Sequence, residues 1–199
     1  GIDRTQQALD VIIEAIQAAN FDPERDVVLA IDAAASSFYE NGKYKIDGKM
    51  LTPSELVDYY EGLINQYPIK SFEDPFEEKD FDSFAALTKK VKGKCQIVTD
   101  DLTVTNVKLL EKAIKQGSGN SLLLKVNQIG SLTESFAAAE MAYKNDYSVV
   151  VSHRSGETCD ATIADIAVAL CSGFIKTGAP CRSERNAKYN QLLRISEEL

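Results

Sequence analysis

Asp32, Glu73, Asp100, Lys125, His153 with Arg154, and Lys176 each follow directly on a short strand-like run, so six runs deliver an ionisable group at the same end. One such residue is ordinarily a solvated loop charge; its recurrence in every run is not. Three carboxylates from neighbouring strands repel one another unless a cation lies between them. An oxygen-only donor set favours Mg2+ or Mn2+ over zinc, the alternative being salt bridges to Lys125 and Lys176. Lys125 ends the apolar run Ser121-Leu122-Leu123-Leu124, where an ammonium is costly to bury. Lysine is also the cation whose pKa falls most readily when desolvated or crowded by other cations, which makes it a general base. Its alternative is to snorkel past the strand end into water. His153 is the only histidine, and a lone histidine is more often structural than catalytic. It stands beside Arg154 and Ser155, a donor cluster suited to phosphate or carboxylate. Asp74 and Asp101 adjoin the candidate ligands, but strand alternation points them elsewhere.

The elements that must position these groups can be read in order. An amphipathic helix opens at Thr5 with Leu9, Ile12, Ile13 and Ile16 on one face and ends near Asn20. Val27 to Ile31 reads as a buried strand, and Phe38 to Tyr44 as a small excursion or hairpin with turn chemistry at Asn41-Gly42. Thr52-Pro53-Ser54-Glu55 joins an N-cap, a proline at N1 and a capping-box glutamate, opening a helix to about Gln66. Strands then follow at Ile69–Phe72, Cys95–Thr99, Ser121–Leu124, Tyr147–Val151 and Phe174–Ile175. Helices follow them from Phe81, Asn106, Ser131, Ala161 and Ser183, the last capped by Ser183. Strand then helix, repeated six times, implies a parallel sheet with right-handed crossovers. No glycine-rich dinucleotide loop follows any strand, which weakens an open nucleotide-binding sheet. A closed barrel wants eight strands and roughly 250 residues, so six strands in 199 residues read as most of a barrel.

Composition is that of an ordinary globular chain with a formal net charge of −8, which argues against a general nucleic-acid binder. No apolar run approaches the roughly 20 residues of a membrane span, and Gly1-Ile2-Asp3-Arg4 does not open a signal peptide. Cys95, Cys159, Cys171 and Cys181 show no close-paired metal spacing and read as reduced, mostly buried thiols of a cytoplasmic protein.

Ser71-Phe72-Glu73-Asp74-Pro75-Phe76, Asp100 to Asn106, Leu123 to Gly130 and Ser152-His153-Arg154-Ser155-Gly156-Glu157 resemble the C-terminal barrel domain of the enolase family, the phosphopyruvate hydratases of glycolysis. Lys176-Thr177-Gly178-Ala179-Pro180 and Arg182-Ser183-Glu184-Arg185 are similar to the same family, so the resemblance runs from the first helix to the last. It implies an α/β TIM-type barrel, incomplete at about six of eight βα units, with residues 1–199 as part of one barrel domain.

The implied activity is reversible, Mg2+-dependent dehydration of 2-phosphoglycerate to phosphoenolpyruvate. Asp32, Glu73 and Asp100 would hold Mg2+ against the substrate carboxylate, and Lys125 would take the proton from the adjoining carbon. Lys176 would contact the substrate carboxylate, and Arg154 and Ser155 would grip the phosphate together with His153 and the Ser152 backbone. Complete members carry a smaller N-terminal domain and further barrel strands, which supply the general acid and a second metal loop. The expectation is therefore a fragment, inactive alone, of a cytoplasmic homodimer. A rival from another class is a non-catalytic module that binds plasminogen through exposed lysines; Phe38 to Tyr44 resembles that segment only faintly.

Overall fold

A computed structural model describes residues 1–199. Its internal contacts divide into two compact units, residues 1–102 with 113–120 and residues 103–112 with 121–199.

The first unit opens with α1 (Thr5–Ala18) and β1 (Leu29–Asp32). A three-stranded antiparallel sheet follows, β2 (Tyr39–Glu40), β3 (Lys43–Ile46) and β4 (Lys49–Leu51). The unit continues through α2 (Pro53–Gln66), β5 (Ile69–Glu73), α3 (Phe81–Lys90) and β6 (Gln96–Thr99). Strands β1, β5 and β6 pair in parallel in that order. Asn41-Gly42 turns β2 into β3 with both residues at positive φ, as a two-residue hairpin requires. Asp47-Gly48 does the same between β3 and β4, a second hairpin not foreseen from the sequence.

The capping box at the start of α2 forms as its residues dictate: the Glu55 N–H donates to Thr52 Oγ1, and Glu55 Oε2 accepts the Thr52 N–H at 2.8 Å. Thr5 does not cap α1. Its N–H and hydroxyl both donate to Asp47 Oδ1, while Tyr59 donates to Asp47 Oδ2, so the β3–β4 turn ties the two helices together. The core is aromatic, with Tyr44, Tyr60, Phe72, Phe76 and Phe84 fully buried and Tyr60 and Phe72 at 4.4 Å between ring centres. Tyr44 also accepts the Glu77 N–H and donates to Asp80, anchoring the small sheet to the loop after β5. The first strand is shorter and more open than its apolar run suggests. Val27 and Val28 precede it and are exposed, and within it only Leu29 is buried.

The second unit holds β7 (Ser121–Leu124), a one-turn α5 (Val126–Ile129), α6 (Leu132–Lys144), β8 (Ser148–Ser152), α7 (Thr162–Ala169), β9 (Phe174–Lys176) and α8 (Ser183–Glu198). Helix α4 (Val107–Gln116) begins in this unit and ends in the first. Strands β7, β8 and β9 are parallel in that order. Every residue of β7 is buried, as expected of a strand covered on both faces. Alanines 138, 139 and 142 on α6 are fully buried. Ser183 is the first helical residue of α8 rather than its cap; Arg182, at φ 74°, stands at that position with no side-chain cap bond. The thiols depart from expectation as well. Cys95 alone is buried, and Cys159, Cys171 and Cys181 are free and exposed. The last three sit outside the strands and helices.

Candidate active site

In the first unit the register β1–β5 sets Asp32 opposite Glu73, and β5–β6 sets Glu73 opposite Val98, two residues before Asp100. Three successive parallel strands thus end on carboxylates at one edge, the end at which barrel sites are built. Glu73 and Asp100 are 6 % and 8 % exposed, while Asp32 is exposed. The loop beyond is built on Asp74, at φ 41° and buried. Its N–H donates to Val98 O, its carbonyl accepts from Ala35, and its two carboxylate oxygens accept the N–H groups of Asp100 and Asp101 at 2.9 Å each.

Carboxylate oxygens of Asp74, Asp100 and Asp101 all lie within 4.8 Å of one another. Burial first, then the neighbouring Asp100 and Asp101, push the Asp74 carboxyl up to about 8 against the downward pull of its two amide donors. The trio Asp74, Asp100 and Asp101 is the set brought close together; Asp32, Glu73 and Asp100 are aligned by strand register at one end of the sheet. Both oxygens of Asp74 are already committed to backbone amides, so it serves as the brace of the Asp100–Asp101 turn. The strand-end set is all carboxylate oxygen with two members buried, the donor chemistry of a hard divalent cation.

In the second unit Lys125 follows β7 in extended conformation and precedes α5. Its N–H donates to Thr105 Oγ1 at 3.0 Å. Thr105 is wholly buried, at φ 57°, and its hydroxyl proton has two acceptors in reach, Leu123 O and Gln128 Oε1. The ends of β8 and β9 pair Ser152 with Lys176, and the His153 N–H continues the ladder to Lys176 O at 2.9 Å. Lys176, His153, Arg154 and Ser155 therefore lie on adjoining strand ends and the loop after β8, with Ser152 buried beneath them.

That loop is held by α8. Arg185, 8 % exposed, meets His153 Nδ1 at 2.7 Å and donates to the carbonyls of Arg154 and Ser155 at 3.0 Å each. Three residues on, the fully buried Lys188 donates to Glu157 Oε2, Thr158 O and Glu184 O, which uses all three ammonium protons. Glu157 in turn accepts the Arg154 N–H at 2.8 Å. Burial raises the Glu157 pKa, but Lys188 and the Arg154 amide outweigh it and hold the carboxylate below its ordinary value. Burial, then the charges of Arg185 and Lys176, lower the pKa of His153.

Thr105, Glu157, Arg185 and Lys188 were not singled out in the sequence for these contacts. Arg185 and Lys188 do carry the i, i+3 spacing that puts two side chains on one helix face. Nothing local says that this face is buried against the loop after β8.

A family model for "Enolase, C-terminal TIM barrel domain" matches residues 1–199. An enolase of Methanocaldococcus jannaschii is 57 % identical over 195 residues, which is 98 % of this chain and 45 % of that protein. An enolase of Thermococcus gammatolerans is 55 % identical over 195 residues, 97 % of this chain and 45 % of that protein. The chain thus spans a little under half the length of the curated relatives it matches.

Proposed function

The chain belongs to the enolase family as its C-terminal TIM barrel domain, and from that premise we propose that the protein catalyses Mg2+-dependent, reversible dehydration of 2-phosphoglycerate to phosphoenolpyruvate. The observation that carries the reading is a likeness to an enolase over 98 % of this chain, together with an ionisable residue at or just beyond the end of each of β1, β5, β6, β7, β8 and β9. Residues 1–199 are read as one partial barrel domain.

Asp32, Glu73 and Asp100 are the residues assigned to hold Mg2+, and Asp74 supports Asp100 through its amide. When bound, the cation supplies the charge that stabilises a carbanion-like intermediate next to the substrate carboxylate. Lys125 removes the proton from that carbon, its backbone fixed by Thr105 so that the amine is aimed from a rigid strand end. Lys176 meets the substrate carboxylate. Arg154 and Ser155 bind the phosphate, with His153 and the Ser152 backbone in the same loop; the fork geometry of arginine suits a phosphate in two-point contact. The same reading makes the intact protein a cytoplasmic homodimer with a small-molecule substrate. No helix is long and apolar enough to cross a membrane.

The test is dehydration of 2-phosphoglycerate by the full-length protein with and without Mg2+. Turnover that needs Mg2+, and that falls by about 10²–10⁴-fold in Lys125→Ala, is the expected result. Absence of turnover, or turnover indifferent to Mg2+ or to Lys125, would overturn the proposal.

A further inference from the structure

We propose that Arg185 is a positioning residue that holds His153 in a single tautomer, with its proton on Nε2, and locks the backbone of the loop carrying Arg154 and Ser155. The inference rests on the functional reading only in taking that loop as the phosphate grip.

The chemistry of the contact is one-directional. A guanidinium has five donors and no acceptor, and it keeps its charge at any pH a protein survives. At 2.7 Å from Arg185 Nη1, His153 Nδ1 must present its lone pair. The imidazole proton is then on Nε2, and the ring also hydrogen-bonds the Thr177 backbone. A second proton on Nδ1 would face the guanidinium directly, which opposes ionisation. The groups that face this ring are Arg185 from α8, Lys176 from β9, Glu157 from its own loop and the Thr177 backbone; the two cations oppose ionisation, and the carboxylate and the Thr177 hydrogen bond favour it.

The remaining donors turn from the ring to the chain. Nη1 also binds Arg154 O and Nη2 binds Ser155 O, so one planar fork spans three consecutive residues. Packing leaves the fork little freedom. A Cβ built on Gly178, at φ 84°, would lie 2.8 Å from Arg185 Cδ, so only glycine leaves room for the arginine stem at that point. On the same helix Lys188 holds Glu157, which holds the Arg154 N–H. Arg185 thus sets the carbonyl side of the loop and Lys188, through Glu157, the amide side.

The experiment uses 15N-histidine-labelled protein, the His153 signals being assigned by their loss in His153→Asn. In the unaltered protein, long-range 1H–15N spectra are expected to show a protonated Nε2 and an unprotonated Nδ1. Arg185→Met is expected to mix the tautomers and to move the His153 titration toward that of free histidine. A protonated Nδ1 in the unaltered protein, or an unchanged spectrum and titration in Arg185→Met, overturns the inference. Should Arg185→Met fail to fold, Gly178→Ala displaces the same side chain while keeping its charge and is expected to mix the tautomers likewise; an unchanged spectrum there overturns the inference. In the full-length protein Arg185→Met is also expected to lose about 10²-fold in kcat/KM for 2-phosphoglycerate, the scale of a misplaced binding group. The spectra are independent of turnover. A protein with the predicted tautomer and no dehydration activity would sink the functional reading and leave this one standing.

Discussion

The backbone N–H of Lys125 donates to the hydroxyl of Thr105 at 3.0 Å, although the two residues are 20 apart in the chain. Thr105 pays for this placement with a left-handed backbone at φ 57°, unusual for a β-branched residue. The same hydroxyl lies against Leu123 O and the Gln128 side chain, so one buried atom joins the strand, the lysine and the short helix beyond it. Thr105→Val keeps the shape and deletes the acceptor. It is expected to lower stability by about 1–3 kcal/mol, the cost of a buried amide left unpaired, while Thr105→Ser retains the bond. Urea denaturation of the two variants checks this; equal stabilities would remove Thr105 from its bracing role.

Lys188 is fully buried, and its three protons are all used, one of them on Glu157. Breaking a buried pair from one side strands a charge. Lys188→Met is therefore expected to cost about 3–5 kcal/mol, read as a fall in Tm. A loss no larger than that of an exposed pair such as Lys144–Glu140 would contradict the assignment.

The lowered pKa of His153 carries a definite sign. In the unfolded chain the imidazole titrates near its ordinary value of about 6.5, so as pH falls below that value the unfolded state takes up the proton first. Stability is therefore fully present above about pH 6.5 and declines as pH drops toward the folded-state value. Denaturation midpoints at pH 7.5 and 5.5 should differ in that direction, and the difference should shrink in His153→Gln. A His153→Gln profile as steep as that of the unaltered protein would exclude His153 as the source.

The close trio Asp74, Asp100 and Asp101 and the proposed strand-end set Asp32, Glu73 and Asp100 share Asp100 and differ in their other members. With Asp32, Glu73 and Asp100 as ligands, Asp32→Asn and Asp100→Asn should each weaken Mg2+ binding by at least about tenfold. Asp101→Asn should leave it nearly unchanged. Isothermal titration of the full-length protein with Mg2+ checks this. A loss in Asp101→Asn equal to that in Asp100→Asn, with none in Asp32→Asn, would move the site to the trio around Asp74.

Cys95 is buried, and burial pushes its thiol up to about 12, whereas Cys159, Cys171 and Cys181 are exposed. Thiolate is the reactive form. Iodoacetamide should add three labels quickly under native conditions and the fourth only on unfolding. Mass spectrometry counts them, and early labelling of Cys95 would show that the turn into β6 opens easily.

Local chemistry made much of this protein legible in advance. Proline at N1 with a capping-box glutamate allows few outcomes other than the start of α2, and Asn41-Gly42 few other than a tight hairpin. Leu122-Leu123-Leu124, apolar throughout and followed by a helical pattern, reads as part of a strand covered on both faces. Asp47-Gly48 carries the same turn chemistry as Asn41-Gly42, but it flanks strands of three and four residues, too short to show an alternating pattern. Val27 and Val28 are as apolar as any core residue and yet stand exposed ahead of the first strand. Periodicity reports what a residue would prefer to bury, not what arrives to cover it.

The sequence by itself determined the strand–helix alternation, the ionisable residue at or just beyond the end of each parallel strand and, through its motifs, the family. These are properties of neighbours in the chain, set by periods of 2 and 3.6 and by caps and turns. Only the tertiary structure decided that Asp74 spends both oxygens on the amides of Asp100 and Asp101. The same holds for Thr105 bracing Lys125, and for Arg185 and Lys188 clasping the loop after β8. Each of those contacts joins residues about 20 to 30 apart. Their partners are chosen by where packed strands and helices come to rest, because a buried donor or acceptor must find its counterpart there.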